Sequence, residues 1–366
     1  MLRRVARWLR GRLRVRPFEA FQIEVTSRCT LRCVMCPRVA LADQWPALDL
    51  PWEAFRRLAP ALRHAKFVHQ QGRGEPLLHP RLFDMIAAAK GAGCRVGFTT
   101  NGMLLDQAAR EGLLALDVDL VAVSIAGATR ETHERIRRGS DFSTILWNAS
   151  RLLALRNGGR RTRPKVEIFF LMTKGNLPEL PEAVDVAAAL GADELVATNL
   201  DYVVTPEHEA LKAFACPERA GAFARIVEDA REKAGRAGLG FRAYPLDPEE
   251  AAVCEANPAK ILFISCDGWV SPCTYMGLAG RADIPRWVGG HPVTVPRVRF
   301  GNIMEQDLLA IWASPAYRAF RRQFAERMTE ARMLALGVGA TGSMPSEPRM
   351  PPPPDACRTC YKLYGL

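Results

Sequence analysis

Long apolar segments are missing from this chain. No apolar run in the 366 residues approaches the roughly 18 residues that a membrane span requires. The N-terminus is basic, but no apolar segment follows it as one does in a secretory signal peptide. We therefore expect a cytoplasmic protein whose ten cysteines are reduced and available to bind metal rather than paired in disulfides.

Acidic residues are missing from the first 17 positions, which contain seven arginines. These arginines account for most of the net charge of +11, so that the rest of the chain carries only +4. A nucleic-acid partner is therefore not expected. Val5, Trp8, Leu9 and Leu13 are interleaved with the arginines. Residues 1–17 are thus a solvated extension, which we favour, or a basic amphipathic helix that contacts a membrane surface or an acidic partner.

Short β-rich runs alternate with helical stretches after Pro17. Six strand–helix pairs in succession predict an open, partial (β/α)6 barrel in an α/β protein, because a closed barrel of this kind needs eight. The predicted strands are 21–25, 66–71, 95–100, 119–125, 166–172 and 194–199. The predicted helices are 51–64, 81–90, 105–116, 129–155, 177–190 and 206–237.

The regular alternation is expected to stop near residue 237. We predict a barrel domain over 18–237 and a small α+β domain over 238–366. Residues 337–354 are rich in glycine and proline, which predicts a flexible loop within the second domain.

Three cysteines directly follow the first predicted strand with the spacing Cys-x3-Cys-x2-Cys. Three thiolates on one loop can bind three irons of a [4Fe–4S] cluster and leave the fourth iron open to a substrate or cofactor. The loop would lie at the carboxyl end of its strand, where chemistry occurs in such folds. The alternatives are a cysteine-rich surface loop and half of a zinc site. The three residues are Cys29, Cys33 and Cys36.

Polar and glycine-rich segments follow the next three predicted strands. Gly72 to Pro76 follow the second strand, and glycines there allow a backbone to approach a ligand closely. Thr99 to Asn101 follow the third strand, and Ser124 follows the fourth. Arginines at 135, 137 and 138 come next and suit a carboxylate. We expect these segments to meet at one end of the sheet.

In this order, the three-cysteine loop, the Gly-Glu-Pro loop and the Ser-Ile-x-Gly segment resemble the radical S-adenosylmethionine (SAM) enzymes over residues 20–235. The C-terminal part resembles the SPASM or Twitch extension found in that family. That resemblance assigns a second, auxiliary [4Fe–4S] cluster to Cys254, Cys273, Cys357 and Cys360. Cys266 is too close to Gly268 to fit this pattern.

The resemblance implies that one electron splits SAM at the first cluster, and that the resulting 5′-deoxyadenosyl radical removes hydrogen from an unactivated C–H bond. Two departures from the family are Met35, where an aromatic residue is frequent, and Ala126, where many relatives have Asp. The residues implied to contact SAM are Met35, Gly72, Gly74, Glu75, Pro76, Thr99, Asn101, Ser124, Arg135, Arg137 and Asn199.

Three residues on the predicted strands are candidates for proton transfer, namely Glu24, His69 and Glu167. A carboxylate or imidazole inside a barrel can act as a base, but it can equally be a satisfied structural group. Asp201 and Tyr202, which follow the sixth predicted strand, are weaker candidates.

Three functions are consistent with the sequence. The first is net oxidation or bond formation on a peptide or protein side chain by a maturase-like enzyme, with a separate leader-binding protein as an additional partner. The second is a dehydrogenase for a sugar, a cyclitol or another natural product. The third is a binding protein without enzymatic activity, whose fold is stabilised by zinc bound to the cysteines. The two enzymatic functions require a reductant of the flavodoxin or ferredoxin type.

Overall fold

The computed structural model describes residues 16–336 and 350–366. Almost all of the predicted N-terminal extension and residues 337–349 of the predicted flexible loop lie outside these ranges. Within them, the larger sheet has ten strands and is flanked by helices.

Eight neighbouring strands of this sheet are parallel. Six of them match the predicted strands to within three residues at either end. The two additional strands lie after residue 237, where we expected the alternation to end, and they extend the sheet at both sides. The parallel strands are β1 (Phe18–Ile23), β2 (Ala65–Gln70), β3 (Arg95–Thr100), β4 (Leu120–Ile125), β5 (Lys165–Met172), β6 (Glu194–Asn199), β7 (Gly240–Ala243) and β8 (Ile261–Ile264).

The sheet does not close into a barrel. Its order is β12-β9-β8-β1-β2-β3-β4-β5-β6-β7, so that β7 and β12 form its two edges. Strand β9 (Trp269–Ser271) pairs with β8 as an antiparallel hairpin. A separate hairpin joins β10 (Asp283–Val288) to β11 (His291–Pro296), and β12 (Gly301–Asn302) pairs with β9.

Helices cover the sheet, and two of the predicted helices are each split in two. The predicted helix 129–155 is interrupted at Gly139, whose φ of 87° lies in the left-handed region. The predicted helix 206–237 is interrupted near Ala215 and Pro217, since Ala215 also has positive φ. The helices are α1 (Pro37–Ala40), α2 (Trp52–Leu62), α3 (Leu82–Gly91), α4 (Gln107–Ala115), α5 (Arg130–Ile136), α6 (Phe142–Gly158), α7 (Leu180–Leu190), α8 (Pro206–Leu211), α9 (Ala220–Ala237), α10 (Leu308–Trp312) and α11 (Pro315–Ala335).

The main core lies between the sheet and its helices. Phe21, Val68, Phe98 and Phe170 are fully buried on the parallel strands β1, β2, β3 and β5. Continuous apolar runs of this kind are typical of parallel sheets that are covered by helices. No helix within the described ranges is long and apolar enough to cross a lipid bilayer.

Candidate functional site

The three-cysteine loop connects β1 to α1 and is held by side chains on both sides. Arg28 forms an ion pair with Asp49, with 2.5 Å between Nη2 and Oδ2. The hydroxyl of Thr26 donates a hydrogen bond of 2.6 Å to the same carboxylate. Asp49 therefore fixes this loop through contacts to Thr26 and Arg28. The thiols that the loop carries are Cys29, Cys33 and Cys36.

Burial controls the protonation of the loop thiols. It raises the pKa of Cys33 to about 11 and also raises the pKa of Cys29. Both thiols lie close enough to Cys36 for like charges to repel, whereas the positive charge of Arg137 favours a thiolate at Cys33. Cys29 and Cys33 are thus neutral near pH 7, and binding iron as thiolates requires that they release their protons.

The loop thiols open into a cavity of about 510 Å³ at the carboxyl ends of the parallel strands. The loops that follow β1, β2, β3 and β6 all contribute to its wall, as the strand order requires. Besides the three thiols, the structure brings to this cavity most of the residues that the sequence predicted for the site. They are Met35, His69, Gly72, Gly74, Glu75, Thr99, Asn101, Ser124, Arg137 and Asn199.

Two glycines after β2 lie against other parts of the chain with no room for a side chain. A Cβ atom on Gly74 would stand 2.2 Å from the carbonyl oxygen of Thr26, and one on Gly72 would stand 2.2 Å from Cγ of Glu24. Such separations are impossible for real carbon atoms, so the close approach of this loop to the cysteine loop depends on glycine.

Glu75 ties together the loops that follow β2 and β3. Its carboxylate accepts hydrogen bonds from the hydroxyl of Thr100 at 2.8 Å and from the backbone N–H of Asn101 at 2.7 Å. It also accepts from the backbone N–H of Leu77 at 3.2 Å. Burial raises the pKa of this carboxyl group. Glu75 therefore shapes the cavity wall in addition to lining it.

Polar groups from two further loops reach the region of the thiols. The side-chain amide of Asn101 lies 3.7 Å from Sγ of Cys29 and donates to the hydroxyl of Thr30 at 3.3 Å. The Nε atom of Arg137 is buried without a hydrogen-bond partner among the described residues. A cation beside Cys33 with a free donor suits an anionic ligand at the open side of the cysteine loop.

Two of the residues that the resemblance implied lie outside the cavity. Arg135 is on α5, is partly exposed and donates to Thr132 at 3.4 Å, so that Arg137 takes the place next to the thiols. Pro76 begins a single 3₁₀ turn behind the loop and does not line the cavity. The structure therefore does not bring either residue to the cavity, and their predicted contacts with SAM stay predictions.

Glu24 is buried beneath the cavity wall rather than directed into the cavity. Its carboxylate accepts hydrogen bonds from the backbone N–H of Arg73 at 2.8 Å and from that of Cys266 at 3.3 Å. Burial raises the pKa of Glu24. The side chain holds two loops together, and its placement removes it from the groups that could exchange a proton with a substrate.

The other two proton-transfer candidates differ in their positions. Glu167 lies near the amino end of β5, away from the cavity, and pairs with Lys165 at 3.0 Å, so the structure gives no support to its predicted role in proton transfer. His69 lines the cavity, and its Nε2 lies 3.4 Å from the hydroxyl of Thr99. Burial lowers the pKa of His69 to about 4, so the ring is neutral and free to accept a hydrogen bond near pH 7.

A second group of cysteines forms a compact pocket from three separate segments of the chain. Phe320 and Phe324 of α11 and Met276 enclose it. Burial raises the pKa of Cys254 to about 12 and raises that of the other three thiols, which lie close enough to repel one another if ionised. The thiols of this pocket are Cys254, Cys273, Cys357 and Cys360, the set expected for an auxiliary cluster.

Cys266 lies elsewhere. It is buried in the main core beside Glu24 and Ser27 and does not line the four-thiol pocket. Cys94 and Cys216 are also buried, and each thiol contacts backbone carbonyl oxygens, as expected for structural thiols.

The two groups of thiols suit iron–sulfur cubanes. No three His, Cys, Asp or Glu side chains of residues 16–336 and 350–366 form a group that could hold a single metal ion. The irons of a cubane are separated, so that its cysteine ligands need not surround one point. Three thiols beside the cavity fit an open cluster, and four enclosed thiols fit a fully ligated one.

A buried network of charged and aromatic residues separates the cavity from the four-thiol pocket. Nζ of Lys362 lies 2.9 Å from Asp201 and 2.8 Å from Glu255. The hydroxyl of Tyr275 donates to Asp201 at 2.7 Å, and the ring of Tyr244 lies 4.0 Å from Nζ of Lys362. Lys362 and Tyr275 line both the cavity and the pocket.

Sequence reasoning missed most of this network. Asp201 was identified because it follows the sixth predicted strand, but Glu255, Tyr275 and Lys362 carry no motif of their own. The available signal was their proximity in sequence to the auxiliary cysteines, since each lies within two residues of one of them. Arg73 was also missed as a functional residue, although it lies inside the Gly-Arg-Gly-Glu-Pro segment.

Comparison with protein families gives two matches, of which the first includes all three loop thiols and the second includes Cys254 and Cys273 of the four-thiol pocket. Residues 23–185 match the family model described as the radical SAM superfamily. Residues 254–333 match the SPASM model, which is described as an iron–sulfur cluster-binding domain.

Individual relatives are distant but extend over most of the chain. The tungsten-containing aldehyde ferredoxin oxidoreductase cofactor-modifying protein of Pyrococcus furiosus is 29% identical, with 82% of each chain covered. A PqqA peptide cyclase of a Methylobacterium species is 26% identical over 81% of this chain and 74% of the relative. Among solved structures, Streptococcus suis SuiB bound to S-adenosylmethionine has a similar fold, with a TM-score of 0.61, 18% identity and coverage of 87% of this chain and 72% of SuiB.

Proposed function

Because this chain belongs to the radical SAM superfamily and carries a SPASM-type iron–sulfur domain, we propose that it is a maturase that oxidises or cross-links a side chain of a peptide or protein. The observation that carries the proposal is that one cavity extends from the three-thiol loop to the wall of the four-thiol pocket. A substrate in this cavity would stand between the two clusters.

The cofactors of the chain are SAM, the [4Fe–4S] cluster that binds SAM, and an auxiliary iron–sulfur cluster. When bound, the cluster and SAM supply a 5′-deoxyadenosyl radical after one-electron reduction, and that radical removes a hydrogen atom from a C–H bond. We propose Cys29, Cys33 and Cys36 as the ligands of this cluster, since all three thiols border the cavity.

The remaining residues of this half of the cavity would bind and orient SAM. The backbone at Gly74 and Glu75 can receive the methionyl amino group, and Arg137 can pair with the methionyl carboxylate. Ser124 and Asn199, which line the cavity, would contact the ribose and adenine, while Met35 would offer an apolar surface for the adenine ring. The buried position of these groups limits access of water to the reacting atoms.

The four thiols Cys254, Cys273, Cys357 and Cys360 would hold the auxiliary cluster. A cluster there could take one electron from the substrate after hydrogen removal, so that the substrate is oxidised overall. His69, which is neutral and lines the cavity, remains a candidate to accept a proton at that stage.

The peptide substrate is supported by the relatives named PqqA peptide cyclase, such as the one from Methylobacterium. A flavodoxin or ferredoxin would donate the first electron, and a separate protein could present a leader peptide. We propose a cytoplasmic location, because a reducing compartment keeps cysteines available as cluster ligands.

A second candidate function is the tailoring of a small molecule or cofactor. It is favoured by the Pyrococcus furiosus relative, whose name describes a cofactor-modifying protein. The zinc-stapled binding protein is disfavoured, because the four-thiol pocket fits an iron–sulfur domain that the SPASM match also identifies.

The experiment that tests the proposed function is anaerobic reconstitution followed by reduction with dithionite and SAM. The native chain should contain about eight irons and eight sulfides, and it should produce methionine and 5′-deoxyadenosine. Replacing Cys29, Cys33 and Cys36 with Ala should leave about four irons and abolish 5′-deoxyadenosine production. Continued production by the triple variant would contradict the ligand assignment, and zinc without sulfide would favour the binding protein.

The ligands of the auxiliary cluster can be tested with a matched pair of cysteine variants. Cys254→Ala should lose about half of the iron, whereas Cys266→Ala should retain about eight atoms per chain, because Cys266 lies in the main core. The iron and sulfide content of the two purified variants measures this difference. Equal losses in both would contradict the assignment.

Deuterium transfer distinguishes the two enzymatic candidates. Turnover with side-chain-deuterated peptides should place deuterium in 5′-deoxyadenosine if the substrate is a peptide. Transfer from deuterated small molecules alone would support the second candidate function.

A further inference from the structure

Arg73 projects from the loop after β2 toward the half of the cavity that faces the C-terminal segments. Its guanidinium carbon lies 4.7 Å from the centre of the Tyr202 ring and 5.4 Å from that of Tyr275. All three residues line the cavity. The two aromatic rings therefore hold the guanidinium in place by cation–π contact, without using its hydrogen-bond donors.

The donors on one edge of this guanidinium have no partner. Nε and Nη2 of Arg73 are both buried, and neither has a hydrogen-bond partner within residues 16–336 and 350–366. The carboxylate of Glu24 accepts from the backbone N–H of Arg73 and from Cys266. A buried cation whose donors are unused is costly unless a ligand completes it.

Arg137, beside the three thiols, also has a buried Nε without a partner, but two other cations of the fold are paired with carboxylates. Lys362 in the same cavity pairs with Asp201 and Glu255. Arg81 stacks on Trp52 at the same 4.7 Å, but it forms an ion pair with Asp84. Among the described residues, no carboxylate forms an ion pair with the guanidinium of Arg73, although Glu24 lies close enough for the two charges to interact.

The free edge of Arg73 matches one kind of ligand. Nε and Nη2 point in the same direction and can donate two parallel hydrogen bonds to the two oxygens of a carboxylate. A doubly charged phosphate is less suitable, because Asp201 and Glu255 border the same half of the cavity. The carboxylate of SAM is better served by Arg137, whose charge acts on Cys33, whereas Arg73 acts on Tyr202 and Tyr275.

We propose that Arg73 binds a carboxylate group of the substrate through Nε and Nη2 and thereby fixes which C–H bond faces the three-thiol loop. This inference rests on the proposed function, because it requires a substrate in the cavity between the two cysteine groups. It specifies an acidic substrate: a peptide with an aspartate or glutamate side chain, or with its own terminal carboxylate, near the reacting position.

The test is calorimetric titration of the reconstituted protein under argon, with saturating SAM and no reductant. Saturating SAM blocks Arg137, so that a carboxylate probe reports on the remaining part of the cavity. The probes are glutarate, its uncharged analogue glutaramide, and inorganic phosphate. Two tripeptides, Ac-Ala-Glu-Ala-NH₂ and Ac-Ala-Gln-Ala-OH, separate a side-chain carboxylate from a terminal one.

We expect glutarate to bind at least tenfold more tightly than glutaramide, and at least one of the two tripeptides to bind. Arg73→Met should remove the preference for glutarate. Arg73→Lys keeps the positive charge but cannot donate two parallel hydrogen bonds to one carboxylate. It should weaken glutarate binding by about tenfold. The matched control is Arg81→Met, which removes a stacked arginine outside the cavity and should bind glutarate as the native chain does.

The proposal is overturned if glutarate binds no better than glutaramide, if phosphate binds more tightly than glutarate, or if Arg73→Met retains the preference. Iron content and SAM affinity, measured on each variant, establish that the variant is folded. Failure of the proposed function would be seen separately, as an absence of 5′-deoxyadenosine from the native chain after reduction, and needs none of these probes.

Discussion

The space available to single side chains determines how closely the loop after β2 approaches the three thiols. Gly74 leaves only enough room for the carbonyl group of Thr26, and the adjoining Glu75 uses its carboxylate to bind three donors. Any larger residue at 74 must push these loops apart. The geometry of the cofactor site is therefore sensitive to one added carbon atom.

Gly74→Ala should reduce SAM cleavage at least tenfold, because the new Cβ would stand 2.2 Å from the Thr26 carbonyl oxygen and must displace the loop. The rate of 5′-deoxyadenosine formation and the affinity for SAM measure this effect. Gly91→Ala is the matched control, since nothing lies within 4 Å of its added Cβ. Equal activities of the two variants would show that the close approach does not matter.

Helix α11 illustrates how a local sequence signal supports the distant cysteine pocket. Ser314 caps the helix by accepting a hydrogen bond from the backbone N–H of Tyr317 at 3.3 Å, and Pro315 occupies the first helical position. Further along, Phe320 and Phe324 of the same helix enclose the four thiols. The start of the helix thus sets the position of the apolar side chains in the pocket.

Ser314→Ala should lower the free energy of unfolding by about 1 kcal/mol, because it leaves a helix N–H without its partner. Urea denaturation of the reconstituted protein measures the change. Ser150→Ala in α6 is the control, since the Ser150 hydroxyl donates to a carbonyl within its own helix and its loss should be nearly neutral. A cost at Ser150 equal to that at Ser314 would contradict the role of the cap.

At the scale of the whole protein, the network around Lys362 joins the C-terminal segment to the sheet. Lys362 connects the end of the chain to Asp201, which follows β6, and to Glu255 beside the first auxiliary cysteine. The same lysine borders the cavity and the four-thiol pocket. Stability and the placement of the two cysteine groups are therefore coupled through one cation.

Lys362→Met should destabilise the protein by about 3 kcal/mol, chiefly because it leaves the largely buried Asp201 without its cation, whereas Glu255 is half exposed and adds little. Lys233→Met, which removes an exposed ion pair with Asp185, should cost less than about 1 kcal/mol. Urea midpoints of variants with equal iron content provide the comparison. A small, equal effect of both substitutions would contradict the structural role of Lys362.

The contribution of Lys362 should not change between pH 6 and 9. Burial alone lowers the pKa of this lysine, but the charges of Asp201 and Glu255 outweigh burial and raise the pKa above its usual range. A raised pKa means that the stabilisation is complete below the unfolded value of about 10.4 and is lost as the pH rises through the folded value. The difference between native and Lys362→Met stability, followed with pH, tests this expectation.

Local patterns in the chain were enough to predict six parallel strands and the approximate course of most helices. Apolar runs and turn residues carry that information within a few positions. Strands β7 and β8 were missed, because they are only four residues long and gain their stability from pairing with β6 and β1 at the sheet's two sides. The breaks at Gly139 and Ala215 were also missed, since each depends on one left-handed residue.

The sequence by itself indicated the chemistry of the protein: the spacing of Cys29, Cys33 and Cys36, the glycine-rich loop and the four later cysteines predict a radical SAM enzyme with iron–sulfur clusters, and the radical SAM and SPASM family models match the chain in the same order. Only the tertiary structure decided which polar residues face the cavity. Glu24 and Glu167 are turned away from it, whereas Arg73 and Lys362 enter it. The reason is physical, since metal ligands are marked by residue type and spacing, but a side chain's burial and partners depend on segments far away in the chain.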